Sequence, residues 1–106
     1  MTTANIAWLA GLFEGEGCIN QDKRKKATWR LRVVMTDFDI IQRLHAITGV
    51  GNVSETTKQE LHHKPAYQWI VYRKEHIQHL LSKMLPYLGN RRAHVALNAL
   101  DTIELL

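Results

Sequence analysis

The sequence predicts an α+β domain in which helices cover one face of a four-stranded antiparallel sheet. Three observations predict it. The chain begins with an apolar helical segment, it then shows twice over a pair of alternating segments followed by a helical stripe, and it closes with another helical stripe. Alternation of polar and apolar residues is typical of half-buried strands, whereas a spacing of three and four is typical of helices. The predicted order is αββαββα with a closing helix, in a single domain of residues 1–106.

The first predicted helix has two unlike sides. Its small side carries Ala7, Gly11 and Gly15. Its bulky side carries Ile6, Leu9 and Phe13. Because glycine inside a helix costs about 1 kcal/mol relative to alanine, a glycine stripe predicts another backbone packed closely against it. If the partner is a second copy of the chain, this stripe is a dimer interface.

Two acids stand among glycines where this helix must end. We expect Gly15 and Gly17 to supply permissive dihedrals for the turn around Glu16. In a symmetric dimer the two Glu16 carboxylates would meet and repel each other unless a cation lay between them, and hard oxygen ligands with open water positions suit Mg²⁺. The pattern thus predicts a metal-assisted hydrolysis site. The alternative is a buried amphipathic helix with a glycine C-cap and surface acids.

The later elements follow in order. The strands of two hairpins are predicted at residues 18–22, 27–34, 52–58 and 66–73. A helix begins near Thr36 and ends at Gly49, and the next one ends at Pro86. The last helix runs from about Asn90, and its predicted buried side carries Ala93, Ala96, Leu97, Leu100 and Ile103.

Composition favours an anionic partner. The 106 residues carry a formal net charge of +4, with an isoelectric point near 9.5, and a dimer would carry twice that charge. Cys18 is the only cysteine, which excludes an intrachain disulfide and fits a reducing compartment, the cytoplasm or an organellar matrix. We expect no membrane association, because no apolar run is long enough to span a bilayer.

A basic, polar surface is predicted on the open face of the sheet. Six of the ten residues from Lys23 to Arg32 are Lys or Arg, and strict alternation should turn Trp29 and Leu31 towards the helices and Arg30 and Arg32 away from them. Arg, Gln and Asn can pair with base edges, whereas Lys and Thr serve mainly phosphates. The predicted nucleic-acid contacts are Asn20, Asp22, Arg24, Lys25, Lys26, Thr28, Arg30, Arg32, Asn52, Ser54, Thr56, Lys58, Gln68, Ile70 and Tyr72. The alternative for the charge run is a solvated hairpin tip.

Residues 9–17, read as LAGLFEGEG, resemble the LAGLIDADG motif of the homing endonucleases, with Phe for Ile, Glu for both Asp and Gly for Ala. The order of elements extends the resemblance over nearly the whole chain. The resemblance implies a curved sheet that forms a saddle over double-stranded DNA, with the motif helices at the dimer interface. It also implies that Glu16, helped by the Gly15 carbonyl, binds the catalytic Mg²⁺, which Mn²⁺ or Ca²⁺ can replace in crystals.

The resemblance assigns two further positions. A basic residue usually follows the proline of the fourth element in that family, and Arg91 is the match here. Arginine stays protonated at neutral pH, so its catalytic role would be electrostatic. A second family position, often Gln, falls on Met35, which cannot donate a hydrogen bond to a water.

The predicted function is therefore a site-specific endonuclease of the intron-homing type. It would act as a homodimer, because the chain has a single motif, on a long and nearly palindromic duplex site. Two alternatives stay open on the same fold: a catalytically inactive DNA-binding module, which Met35 would fit, and an RNA-binding intron maturase.

Overall fold

The predicted order of helices and strands is present in the computed structural model, which describes residues 1–22, 28–56 and 65–104. The helices in these residues are α1 (Thr3–Glu16), α2 (Phe38–Thr48), α3 (Lys74–Met84) and α4 (Asn90–Glu104). The strands are β1 (Gly17–Asp22), β2 (Thr28–Met35), β3 (Asn52–Thr56) and β4 (Ala66–Val71). A 3₁₀ turn over Leu85–Tyr87 joins α3 to α4. The α+β fold class is confirmed.

The described strands form one antiparallel sheet in the order β1-β2-β4-β3. The central strands are β2 and β4, and each is paired with an edge strand from its own hairpin. Strand β1 follows α1 without a loop, and its first residue, Gly17, lies opposite Val33 of β2. The end of α1 is therefore held at one end of the sheet.

The core lies between the sheet and the helices, as predicted from the alternation in β2. Trp29, Leu31 and Val33 are buried, and the Phe13 ring meets the Trp69 ring edge-on with centroids 6.0 Å apart. No helix among the described residues is long and apolar enough to cross a membrane.

Three details of the helices differ from the sequence prediction. Asp37 rather than Thr36 precedes the first residue of α2. On α4, Leu97 was expected to be buried but is 44% exposed, and Ala99 is fully buried instead. The reason is that α4 packs through its small residues, so its buried arc is turned towards Ala96 and Ala99.

Gly17 is required for space rather than for its dihedrals. Its φ of −80° is ordinary extended backbone, and positive φ among the described glycines occurs at Gly49 and Gly51. A Cβ on Gly17 would collide with the ring of Phe13. The expectation that Gly15 and Gly17 supply permissive dihedrals is therefore wrong, because α1 ends by turning directly into an extended strand.

The turn from α2 to β3 does need glycine. Gly49 ends α2 at φ 68°, and its N–H donates to the His45 carbonyl at 2.8 Å. Gly51 has φ 94°, and a Cβ there would lie 2.5 Å from Nε1 of the fully buried Trp69. That Nε1 donates to the Val50 carbonyl at 2.9 Å, so the indole cannot move away without losing a partly buried hydrogen bond.

We expect Gly51→Ala to be the more damaging of two matched glycine substitutions. Gly49→Ala should lower the free energy of unfolding by about 1–2 kcal/mol, the cost of a left-handed alanine with open space around it. Gly51→Ala adds the displacement of Trp69 and should cost about 1–3 kcal/mol more. Urea unfolding measures both values, and equal losses would contradict the steric account.

Candidate nucleic-acid interface and metal centre

One arginine of α4 holds the end of α1. The Arg92 guanidinium donates to the Gly17 carbonyl at 2.5 Å and to the Glu14 carbonyl at 3.3 Å, and its Nε lies 3.9 Å from the Glu14 carboxylate. That carboxylate accepts the Gly89 N–H at 2.7 Å, one residue before α4 begins. The Arg92 side chain is only 16% exposed. These contacts, called the α1–α4 tether below, fix the direction in which α1 ends.

At the tethered end, two oxygen-bearing groups accept no hydrogen bond from the residues that the structure describes. The Glu16 carboxylate is exposed and has no hydrogen-bond or ion-pair partner among the described residues. The Gly15 carbonyl likewise receives no donor from them, whereas the two carbonyls before it accept the Gly17 N–H and the Arg92 guanidinium. Both free groups are hard oxygen donors, which suit Mg²⁺.

A single chain does not complete a metal site here. No group of three or more His, Cys, Asp or Glu side chains converges among the described residues. Glu14 is already engaged by Gly89 and Arg92, which leaves Glu16 as the carboxylate available at this end of α1. The donor type fits a divalent cation, and a second Glu16 from another copy would supply the missing charge.

The predicted interface stripe is open on the surface of the chain. Ala7, Gly11 and Gly15 are all exposed, and a Cβ on either glycine would meet no atom within 4 Å. The opposite side of α1 is buried through Leu9, Ala10 and Phe13. A helix that is apolar on its exposed side as well as its buried side is typical of one that packs against a further element.

Arg91 lies close to this end of α1. It is exposed and lines a cleft of about 270 Å³ together with Gly17, Cys18, Ile19, Arg92 and Val95. Its charge is therefore available beside the first residues of β1, whereas that of Arg92 is used inside the protein. Met35 is partly buried and packs against the core.

The open face of the sheet carries the predicted polar side chains. Arg30 and Arg32 are partly buried on the central strand β2. The alternation of the strands places on the same face Asn20, Thr28, Asn52, Ser54, Thr56 and Gln68. Tyr72 follows β4 and is 52% exposed, and Asp22 is the last residue of β1. The predicted contacts Arg24, Lys25, Lys26 and Lys58 lie outside the described residues.

One predicted contact on this face does not have an accessible side chain. Ile70 alternates onto the open face but is only 5% exposed. It lies between Arg32 of β2 and Asn52 of β3, which are its partners in the strand register. The expectation that Ile70 offers a surface to nucleic acid is therefore corrected.

Two polar contacts organise the open face. Nε of Arg30 donates to Oδ1 of Asn20 at 2.6 Å, and Nε of Arg32 donates to Oε1 of Gln68 at 2.7 Å. The sequence prediction placed all four residues on one face but could not pair them. It also missed the roles of Glu14 and Arg92, for which the first acid of the motif and the adjacent Arg91-Arg92 pair were the available signals.

Solved structures of homing endonucleases share this fold. I-CvuI, determined in complex with its target in the presence of Ca, is 27% identical with a TM-score of 0.78 over 96% of this chain and 67% of its own. I-TnaI is 14% identical with a TM-score of 0.72 over 99% of this chain and 73% of its own. The archaeal intron-encoded I-Vdi141I, complexed with DNA, is 12% identical with a TM-score of 0.69 over 95% of this chain and 67% of its own.

The chain spans about two thirds of the length of I-CvuI and 37% of the length of the meganuclease I-AabMI. Comparison with curated protein sequences gives no significant match. The family profile described as LAGLIDADG endonuclease matches residues 9–94. The chain belongs to this family, and the resemblance of its motif and element order is confirmed.

We expect Arg92→Ala to destabilise the fold and Arg91→Ala to leave it nearly unchanged. Removing the Arg92 guanidinium leaves the Gly17 and Glu14 carbonyls without this donor and the Glu14 carboxylate without its ion-pair partner, although the carboxylate keeps the Gly89 N–H. Hydrogen bonds from charged groups contribute about 1.5–3 kcal/mol each. Because water has partial access to these groups, we expect Arg92→Ala to lower the free energy of unfolding by about 1–3 kcal/mol in a urea titration. Arg91→Ala, at an exposed position, should lower it by less than about 0.5 kcal/mol. Similar losses in the two variants would show that the tether contributes little.

Proposed function

We propose that the chain is a homodimeric, metal-dependent endonuclease that cleaves a long and nearly palindromic duplex DNA site. The observation that carries the proposal is the end of α1, where the free Glu16 carboxylate and Gly15 carbonyl stand beside an exposed small-residue stripe. Membership of the LAGLIDADG endonuclease family supports the chemistry.

Assembly through α1 would complete the site. Gly11 and Gly15 present bare backbone, so a second α1 could approach without side chains between the two helices. The two-fold axis of such a dimer would bring the Glu16 carboxylates together. Self-complementary contact of this kind is the usual form of a homodimer interface.

The chain's own groups would then have distinct tasks. Glu16 of each copy and the Gly15 carbonyls would hold the ions, and the α1–α4 tether would keep both oxygens pointing at the DNA backbone. Bound Mg²⁺ supplies Lewis acidity towards the phosphate and a water of lowered pKa. Arg91 would neutralise charge on the scissile phosphate from the neighbouring cleft. I-CvuI structures were determined with DNA in the presence of Ca and in the presence of Mg, the DNA of the Mg structure being uncleaved. These complexes support the use of a divalent cation.

The open face of the sheet would bind the duplex. Arg30 and Arg32 supply positive charge at its centre, and the exposed Asn52 and Ser54 add polar groups at the β3 edge. I-Vdi141I and I-CeuI, which share the fold, were both determined in complex with DNA. A protein-wide charge of +4 favours the same partner.

We expect Glu16→Gln to abolish cleavage without weakening binding. Loss of residues that merely support metal ligands costs about 10–100-fold, so loss of a ligand itself should exceed about 100-fold. The substrate is a duplex enriched by the protein from a randomised library, cut in the presence of Mg²⁺ and bound in Ca²⁺. Glu104→Gln, which changes an exposed carboxylate at the end of α4, is the matched control.

Wild-type protein that binds its enriched site but does not cut it with Mg²⁺ or Mn²⁺ would disprove the endonuclease and leave a DNA-binding module. Unchanged cleavage by Glu16→Gln would remove that carboxylate from the reaction.

We expect Gly11→Leu to dissociate the dimer while preserving the fold. The single chain has room for the new side chain, and replacing a helical glycine raises helix stability by up to about 1 kcal/mol. The leucine would nevertheless hold two α1 helices apart. Light scattering during size exclusion measures the mass, and Ala46→Leu at an exposed position of α2 is the control. A Gly11→Leu dimer as stable as wild type would place the interface elsewhere.

A further inference from the structure

We infer that Arg30 and Arg32 each read a guanine in the major groove, and that Asn20 and Gln68 hold them in position to do so. Each half-site would then carry two guanines about two base-pair steps apart, with the guanine read by Arg32 nearer the cleavage position. The inference rests on the proposed DNA-binding function and names the sequence that this surface selects.

The position of the two arginines favours bases over phosphates. Both lie on β2, which is a central strand of the described sheet. On either side of Arg32 the register places Cys18 of β1 and Ile70 of β4, neither of which carries a charge. The major groove admits a two-stranded ribbon and exposes the base edges along its floor, whereas the phosphates line its two sides. Side chains in the middle of the open face are therefore aimed at bases.

The hydrogen bonds at Nε orient both guanidinium groups. Arginine has no acceptor, so the atom that receives each Nε–H must be the carboxamide oxygen, of Asn20 in one pair and of Gln68 in the other. Each contact uses only Nε of its arginine. The terminal nitrogens donate to no side chain in the part of the chain that the structure describes, and they form the planar fork that matches O6 and N7 of guanine. A fork held in advance also loses less side-chain entropy when it binds.

The supporting carboxamides have a different task from the arginines. The amide nitrogen of Asn20 donates to the Cys18 Sγ at 3.1 Å while its oxygen accepts from Arg30, so both ends of this group are occupied. Asn20 is thus a positioning residue rather than a base contact. The carboxamide oxygen of Gln68 supports Arg32 by accepting from its Nε, across the pairing between β4 and β2.

The strand register gives the order of the two guanines along the site. Gly17, which directly follows Glu16, lies opposite Val33, and the neighbouring Arg32 lies opposite Cys18. Arg30 lies opposite Asn20, two residues farther from the end of α1. Residues two apart on a strand are separated by roughly 6.6 Å, which is about two base-pair rises. Arg32 should therefore read nearer the scissile phosphate and Arg30 farther out.

The test is selection from a randomised duplex library in Ca²⁺, with wild type and the single variants Arg30→Lys, Arg32→Lys, Asn20→Ala and Gln68→Ala. Lysine keeps the charge but loses the planar fork. We expect wild type to enrich two guanines in each half-site and each lysine variant to lose its preference at one of them by about tenfold or more. Each carboxamide variant should relax the same position as the arginine it supports. Arg43→Lys, on α2, is the matched control.

Guanines retained by both lysine variants, or a uniform loss of affinity for every sequence, would overturn the inference and indicate phosphate contacts. Failure of wild type to enrich any duplex would instead overturn the proposed DNA recognition, and the inference with it. Enrichment and the expected base shifts without cleavage in Mg²⁺ would support the guanine assignment and refute only the endonuclease.

Discussion

The geometry of the candidate site depends on the contacts between the end of α1 and Arg92 of α4, which offset an excess of negative charge at that helix end. The last turn of a helix exposes unpaired carbonyls with partial negative charge, and α1 adds Glu14 and Glu16 there with no basic residue of its own. Arg92 supplies the missing cation and donors from another helix. In return Glu14 places a carboxylate at the positive N-terminus of α4. The reciprocal arrangement engages Glu14, the first acid of the motif, whereas Glu16 has no partner within residues 1–22, 28–56 and 65–104.

Most of the fold could be predicted from the sequence because buried residues recur at a regular spacing along each strand and helix. Trp29, Leu31 and Val33 alternate as a half-buried strand must, and the structure buries all three. The contact between Glu14 and Arg92 leaves no such period, because two polar side chains far apart in the chain meet only after the whole fold has formed. The burial of Ile70 likewise depends on which residues the neighbouring strands place beside it.

The open face shows how much the strand register adds to alternation. Alternation predicts which side chains share a face, but only the pairing of β1 with β2 and of β2 with β4 decides which of them touch. Asn20 meets Arg30, and Gln68 meets Arg32. Residues of similar polarity in the sequence thereby divide into the arginines that donate and the carboxamides that accept. Residue type alone could not predict that division, because Asn, Gln and Arg can all form hydrogen bonds with base edges.

The need for a second Glu16, which the proposed assembly implies, has a kinetic consequence. In the proposed assembly each newly made copy holds half a reaction centre, so strand scission at low abundance would scale with the square of protein concentration. A lone molecule sliding on a chromosome would leave it intact. Cleavage would begin only where two copies bind the same stretch of duplex. A low level of expression would therefore protect the host chromosome from cleavage.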